Sequence, residues 1–123
     1  MAHPRILLIG IDPALLTFSR PEVRNAATVV ATRLDVTAAL EALGCEVTNC
    51  IIDLGETAEV MVRSALQGPP FDVVMLGAAL RARVEETVLF EKVINLVHQL
   101  APHAKLCFNT RPDDTVEAVK RWL

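Results

Sequence analysis

Four short apolar segments recur along the chain of 123 residues, and each is followed by a longer segment with helical spacing of its apolar residues. The apolar segments are RILLIGI (5–11), EVTNCIID (46–53), FDVVMLG (71–77) and AKLCFNT (104–110). The first and third are almost continuously apolar, which is typical of central parallel strands covered on both faces. The second and fourth contain polar residues, and this favours the two edges of a sheet.

The segments that follow these strands predict helices. They are DVTAALEALG (35–44), ETAEVMVRSALQG (56–68), VEETVLFEKVINLVHQLAP (84–102) and DDTVEAVKRWL (113–123). Gly44 fits a left-handed C-cap of the first helix, and Asp114 with Glu117 has the spacing of a capping box in the last. Strand–helix–strand connections are right-handed. The alternation therefore predicts a single α/β domain over 1–123, a three-layer doubly wound sheet of four parallel strands in the order 2-1-3-4.

The connection between the first strand and the first helix is unusually long. Pro13 stops the strand, whereas most such connections use ~2–6 residues. The segment TVVAT (28–32) is rich in β-branched residues, which are poor in a helix interior, although nothing over 22–43 forbids one long helix. We predict a structured excursion over 12–27, with the helix regular by about Arg33. We expect the excursion to shape a ligand site or an interface.

Composition and charge narrow the possible partners. The chain has 12 basic and 15 acidic residues, a formal net charge of −3, and only 4% aromatic residues. Without a basic run, we expect no binding of nucleic acid or of an anionic membrane surface. No apolar run is long enough for a signal sequence or a membrane span, so we expect a cytoplasmic protein. Cys45, Cys50 and Cys107 show no C-x-x-C spacing, which predicts reduced, buried thiols.

The predicted topology directs attention to one edge of the sheet. In doubly wound sheets, ligands bind at the carboxyl ends of the strands where the strand order reverses, here between the first and third strands. The candidate ligand-binding residues at this edge are Asp12, Arg81, Arg83, Asn109, Thr110 and Arg111. His3, His98 and His103 fall at the opposite edge, so neither histidine chemistry nor a metal site is predicted.

Each candidate has a structural alternative to a binding role. Asp12 directly follows a central strand and can bind a ligand or a cation, or it can start an Asx-turn. Arg81, Arg83 and Arg111 can supply planar forks for a carboxylate or phosphate, or they can pair with neighbouring acids on a solvated rim. The sequence alone leaves these alternatives open.

The segment FDVVMLG and the threonine that ends the fourth strand, Thr110, resemble response-regulator receiver domains. Gly77 stands where their phosphorylated aspartate would fall, so the resemblance carries no phosphotransfer. The loop GIDPALLTFS occupies the position of the phosphate loop of flavodoxins but contains a single glycine, and we expect no bound cofactor. The segments IGIDPALL, DLGETAE and VLFEKVINLVHQLAPHAKLCFNTRPDDT resemble small bacterial α/β proteins of unassigned function. The resemblance implies a flavodoxin-like or Rossmann-like fold and no particular activity.

Two functions of different class fit these observations. The first is a non-catalytic binding or regulatory module that uses the carboxyl edge for a small anionic ligand or a protein partner. The alternative is a small enzyme, cation-assisted or not, with Asp12 in the crevice. Hydrophobic residues make up 52% of the chain, and EVRNAATVVAT (22–32) is apolar enough for a subunit contact. We therefore also predict a homodimer or another homo-oligomer.

Overall fold

A computed structural model describes residues 3–123. Four strands form one fully parallel sheet in the order β2-β1-β3-β4. They are β1 (Arg5–Ile11), β2 (Glu46–Ile52), β3 (Val73–Leu76) and β4 (Lys105–Phe108). The predicted fold class, the strand order and the assignment of the second and fourth strands to the edges are confirmed, while β3 and β4 are shorter than predicted.

Five helices connect and cover the strands. They are α1 (Ala26–Ala42), α2 (Ala58–Ala65), α3 (Ala78–Ala82), α4 (Thr87–Leu100) and α5 (Thr115–Lys120). Short 3₁₀ turns precede α4 and α5, and another follows β1. The short helix α3 was not predicted from the sequence. Within residues 3–123, no helix combines the length and the apolar character needed to cross a membrane.

The alternation of side chains along β1 creates two cores, one on each face of the sheet. Ile6 and Leu8 pack with residues of α1 and α5, whereas Leu7 and Ile9 pack with residues of α2, α3 and α4. All four side chains are buried. Burial of a side chain of this size contributes about 1.5–3 kcal/mol, so the two cores hold the ends of β1 and β3 rigidly in place.

Helix α1 begins earlier than predicted, although the excursion over 12–27 is present in its main part. Asn25 caps the helix, since its Oδ1 accepts a hydrogen bond from the Thr28 backbone N–H at 3.1 Å. The Asn25 N–H in turn donates to the Thr28 hydroxyl oxygen at 2.9 Å. The Thr32 hydroxyl donates to the Thr28 carbonyl at 2.9 Å. These bonds satisfy the polar groups of the TVVAT segment, which explains why it is helical despite its β-branched residues.

Of the two helix caps predicted from the sequence, the C-cap of α1 is confirmed and the capping box of α5 is wrong. Gly44 follows α1 with a φ of +90°, as predicted for a left-handed C-cap. The predicted capping box of Asp114 with Glu117 is wrong, because the Asp114 side chain does not cap α5. Its carboxylate instead accepts backbone N–H groups of Thr110 at 2.9 Å and Arg111 at 3.2 Å. A 3₁₀ turn before α5 directs this carboxylate back toward the end of β4.

Candidate functional site

A cleft with a volume of about 80 Å³ opens at the carboxyl edge of the sheet, beside the ends of β1 and β3. Helix α1 and the start of α5 form its walls, and Leu16 and Arg24 of the excursion lie at its mouth. Most of the lining is apolar. The polar side chains of the lining are Arg24, Arg33, Asn49, Asn109 and Thr115. A mostly apolar concavity with a few polar groups is the usual composition of a small-ligand site.

Two glycines at the strand ends leave room for this cleft and its walls. A Cβ atom on Gly10 would lie 3.2 Å from Nη2 of Arg33, so the missing side chain lets the guanidinium approach the end of β1. A Cβ atom on Gly77 would lie 3.3 Å from the Ile9 carbonyl oxygen. The Gly77 N–H donates to that same oxygen at 2.9 Å. Gly77 therefore allows the turn after β3 to pack closely against β1.

Arg33 brings a positive charge into the cleft without a matching acid. Its side chain is half-buried, and across residues 3–123 it has neither an ion pair within 4.0 Å nor a side-chain hydrogen bond. Burial lowers the pKa of Arg33 from its ordinary value, and the charge of Asp12 opposes that effect. A guanidinium remains protonated even so. The cleft thus contains a cation whose N–H donors are free of acidic partners in the described part of the chain.

Asn109 also lines the cleft, and its side-chain amide is held by a hydrogen bond. The side chain is only 5% exposed, and its Nδ2 donates to the Thr115 hydroxyl oxygen at 2.9 Å. The Thr115 hydroxyl donates its own proton to the Pro112 carbonyl at 2.8 Å. Since Thr115 can only accept from the amide, Oδ1 of Asn109 must point elsewhere, and it is buried without a partner in residues 3–123. An unpaired buried acceptor costs about 1–3 kcal/mol.

Asp12 makes the Asx-turn that was one of its two predicted roles. Its Oδ1 accepts the Ala14 backbone N–H at 3.0 Å and starts the 3₁₀ turn after β1. The half-buried carboxylate does not line the cleft. Its charge nevertheless acts on Arg33. Asp12 therefore anchors the turn after β1, and its negative charge lies close enough to act on the Arg33 guanidinium.

Thr110 and Arg111 belong to the loop between β4 and α5 and do not line the cleft. The Thr110 hydroxyl donates to the Asp114 carboxylate. Partial desolvation raises the pKa of Asp114, but the hydrogen bonds from Thr110 and Arg111 outweigh it and hold the pKa below its ordinary value. Exposed Arg111 forms an ion pair with Asp113, with Nε 2.6 Å from Oδ1. These four residues stabilise the loop that presents Asn109.

Arg81 and Arg83 lie around α3 and outside the lining of the cleft. The guanidinium carbon of Arg81 is 5.2 Å from the centre of the Phe108 ring, a cation–π contact. Nε of Arg83 is 3.4 Å from Oε2 of buried Glu86. Arg83 also lines a second, more open depression beside the excursion, with a volume of about 370 Å³. Nε and Nη2 of Arg81 and Nη1 of Arg83 are nevertheless buried without a hydrogen-bond partner in residues 3–123.

Of the six predicted candidates, the structure brings only Asn109 to the lining of the cleft. Sequence reasoning missed Arg33 and Thr115 as site residues. The available signal for Arg33 was its position on the buried stripe of α1, between Val29 and Val36. A charged residue on the core-facing stripe of a helix needs a partner or a ligand, so this spacing deserves more weight than the exposed loop arginines.

The histidines and cysteines lie outside this site. His3, His98 and His103 are exposed. No group of three or more His, Cys, Asp or Glu residues between positions 3 and 123 could hold a metal ion. Cys45, Cys50 and Cys107 are free and buried, as predicted. Burial raises the pKa of the Cys107 thiol to about 11, which makes it a poor nucleophile at neutral pH.

The fold and the cleft define a small doubly wound α/β protein of flavodoxin-like topology. No protein-family model matches the chain, and no curated protein matches it. The chemistry of the cleft is therefore the guide to function.

Proposed function

We propose that the protein is a non-catalytic binding module that holds a small anion in the cleft beside the ends of β1 and β3. The observation that carries this proposal is Arg33, a half-buried cation without an acidic partner within 4.0 Å in residues 3–123. Withdrawing a charge from water is unfavourable unless another charge compensates it. An anionic ligand would supply that compensation, and the planar guanidinium is suited to a carboxylate.

The composition of the cleft favours binding over catalysis. Its described lining contains no carboxylate, histidine or thiol, and the Thr115 hydroxyl is engaged with Pro112. These side chains supply no general base and no activated nucleophile. A regulatory or carrier role that leaves the ligand unchanged is therefore the function that we propose. The buried free thiols fit a reducing compartment, so we place the protein in the cytoplasm.

The volume of the cleft limits the size of the anion. The cleft has a volume of about 80 Å³. Most pockets for drug-sized ligands are about 300–1,000 Å³. We therefore propose a short organic acid in preference to a nucleotide.

The alternative of a small enzyme that uses Asp12 has less support. Ala14 already donates a hydrogen bond to the Asp12 carboxylate. A cation bound there would also be repelled by the charge of nearby Arg33. Asp12 is better explained as a turn residue whose charge tunes the anion site.

Ligand-linked stabilisation tests the proposal. We would measure the free energy of unfolding in urea with sodium propionate and with sodium chloride at equal ionic strength. A ligand at ten times its dissociation constant adds about 1.4 kcal/mol to the stability. We expect propionate to stabilise the native protein and Arg33→Met to lose that increment. Arg63→Met is the matched control, because Arg63 is exposed on α2 at the opposite face of the sheet. Equal increments in both variants would contradict the proposal.

We further propose that a second copy of the chain packs against the exposed apolar stripe of α1 and against Val23, which lies shortly before the helix. Val23, Val30 and Leu34 are 64%, 44% and 67% exposed, although large apolar side chains usually avoid water. Light scattering on Leu34→Glu tests this proposal, with Val60→Glu on α2 as the control. We expect a dimer for the wild type and the control and a monomer for Leu34→Glu. A monomeric wild type at micromolar concentration would contradict it.

A further inference from the structure

We infer that the anion held in the cleft is a short hydroxycarboxylic acid, whose carboxylate pairs with Arg33 and whose hydroxyl donates to Asn109. This inference rests on the proposed function and deepens it, because it specifies the chemical class of the ligand. The observation behind it is the buried Oδ1 of Asn109, which no donor in residues 3–123 satisfies. A simple carboxylate would neutralise Arg33 but leave this oxygen unpaired.

The acceptor at Asn109 is fixed by the bonds behind it. The amide cannot turn its Nδ2 toward a ligand without losing the 2.9 Å bond to Thr115. Thr115 cannot donate to a rotated amide oxygen either, because its proton is committed to Pro112 at 2.8 Å. The arginines therefore line the cleft as donors, and Asn109 lines it with a buried, unpaired oxygen that we assign to the ligand's hydroxyl. A ligand that satisfies both must carry an anionic group and a donor in one small molecule.

The surrounding charge selects a hydroxyl over an ammonium group as that donor. Arg33 and Arg24 both line the cleft, and its described lining contains no carboxylate. A ligand ammonium group would face two like charges at short range, offset only by the ligand's own carboxylate and by Asp12 outside the lining. A neutral hydroxyl donates the same hydrogen bond without that repulsion. The site therefore favours a hydroxy acid over an amino acid.

The apolar lining selects a carbon skeleton over inorganic phosphate. Leu8, Val29, Val36 and Met75 line the cleft beside its polar groups. Phosphate would turn some of its oxygens toward these side chains without hydrogen bonds, which is costly. A hydroxy acid buries its carbon atoms there instead. Lactate and 3-hydroxypropionate are small members of this class, in keeping with the small volume of the cleft.

Isothermal titration calorimetry with matched acids tests this inference on the wild-type protein. The panel is propionate, lactate, 3-hydroxypropionate and inorganic phosphate. We expect at least one hydroxy acid to bind about tenfold more tightly than propionate, the worth of satisfying one buried acceptor. Equal affinities for propionate and both hydroxy acids would overturn the inference while leaving the anion site intact. Tighter binding of phosphate than of either hydroxy acid would also overturn it. No binding of any acid would overturn the proposed function and the inference together.

Two variants connect the preference to the acceptor. Asn109→Leu removes Oδ1, and we expect the ratio of hydroxy acid to propionate affinity to fall from about ten to about one. Thr115→Val removes the hydroxyl that orients the amide, so Nδ2 becomes free to face the ligand. We expect this variant to lower the same ratio without removing Asn109, which provides an independent test if Asn109→Leu does not fold. An unchanged ratio in a folded variant would overturn the inference.

Discussion

Replacing Arg33 with methionine should separate the stability of the protein from its ability to bind. The guanidinium is half-buried beside Gly10, and within residues 3–123 no acid lies within 4.0 Å of it. Methionine retains an unbranched apolar stem that can pack against α1 and the sheet, but it carries no charge. We therefore expect Arg33→Met to lose anion binding without losing stability.

The expected changes in anion affinity and in the free energy of unfolding follow from what the Arg33 side chain does in the liganded and unliganded protein. A hydrogen bond to a charged group is worth about 1.5–3 kcal/mol, so the loss of Arg33 should weaken anion binding about 10- to 150-fold. In the unliganded protein, the substitution removes a partly desolvated charge that makes no compensating bond. We expect the free energy of unfolding to stay constant or to rise by up to about 1 kcal/mol, as occurs when a functional group is removed from a binding site.

Urea unfolding and calorimetry on the same preparations measure both quantities. Arg63→Met again serves as the control, because it removes one positive charge from an exposed position on α2. The control should keep both the affinity and the stability of the wild type. A loss of more than about 1 kcal/mol in Arg33→Met, with unchanged anion affinity, would refute the reasoning and make Arg33 a structural residue.

Four further predictions concern individual residues. Asp12→Asn keeps an oxygen that can accept the hydrogen bond at the turn but removes a negative charge near Arg33. Calorimetry should therefore show unchanged stability and about two- to fivefold tighter anion binding. Weaker binding would favour the enzyme alternative. Gly10→Ala places a Cβ atom 3.2 Å from Nη2 of Arg33. The anion affinity should therefore fall while the free energy of unfolding changes by less than about 1 kcal/mol. An unchanged affinity would show that the position of the guanidinium is unimportant for anion binding. The pKa of Asp114 is lowered in the folded protein, so its contribution to stability is present above its ordinary pKa of 3.8 and is lost as the pH falls through the lower folded value. Urea titrations on the acid side of pH 4 should therefore show a shallower decline in the free energy of unfolding for Asp114→Asn than for the wild type. Identical curves would contradict this. The pKa of Cys107 is raised to about 11, so a thiol reagent at about pH 8 should label it only after unfolding, and rapid labelling of the native protein would contradict its burial.

The fold could be predicted from the sequence because its signals are local and repeated. The nearly continuous apolar segment of β1 and the polar edge strand β2 reflect directly how many faces of each strand are covered. The start of α1 was harder to predict. Intrinsic propensity disfavours TVVAT (28–32) in a helix, and the capping bonds of Asn25 with Thr28 override it.

The cleft lies at the edge of the sheet to which the topology directs attention, but most of its lining residues were not among the predicted candidates. Topology alone directs attention to the end of β1, where the cleft lies. Which side chains reach that cleft depends on packing between distant segments, and sequence spacing does not reveal it. Arg111 looks available in the sequence yet pairs with Asp113, whereas Arg33 looks like an ordinary helix residue yet enters the cleft. Asn109 could be predicted because it immediately follows β4.

A two-dimensional ¹H–¹⁵N NMR titration with lactate tests the anion site most directly. We expect saturable shifts concentrated at the backbone amides of Gly10 and Gly77, the Asn109 side-chain amide and Nε of Arg33, all of which surround the cleft. Shifts that do not saturate, or that centre on exposed bases such as Arg63, would contradict the binding site that we propose.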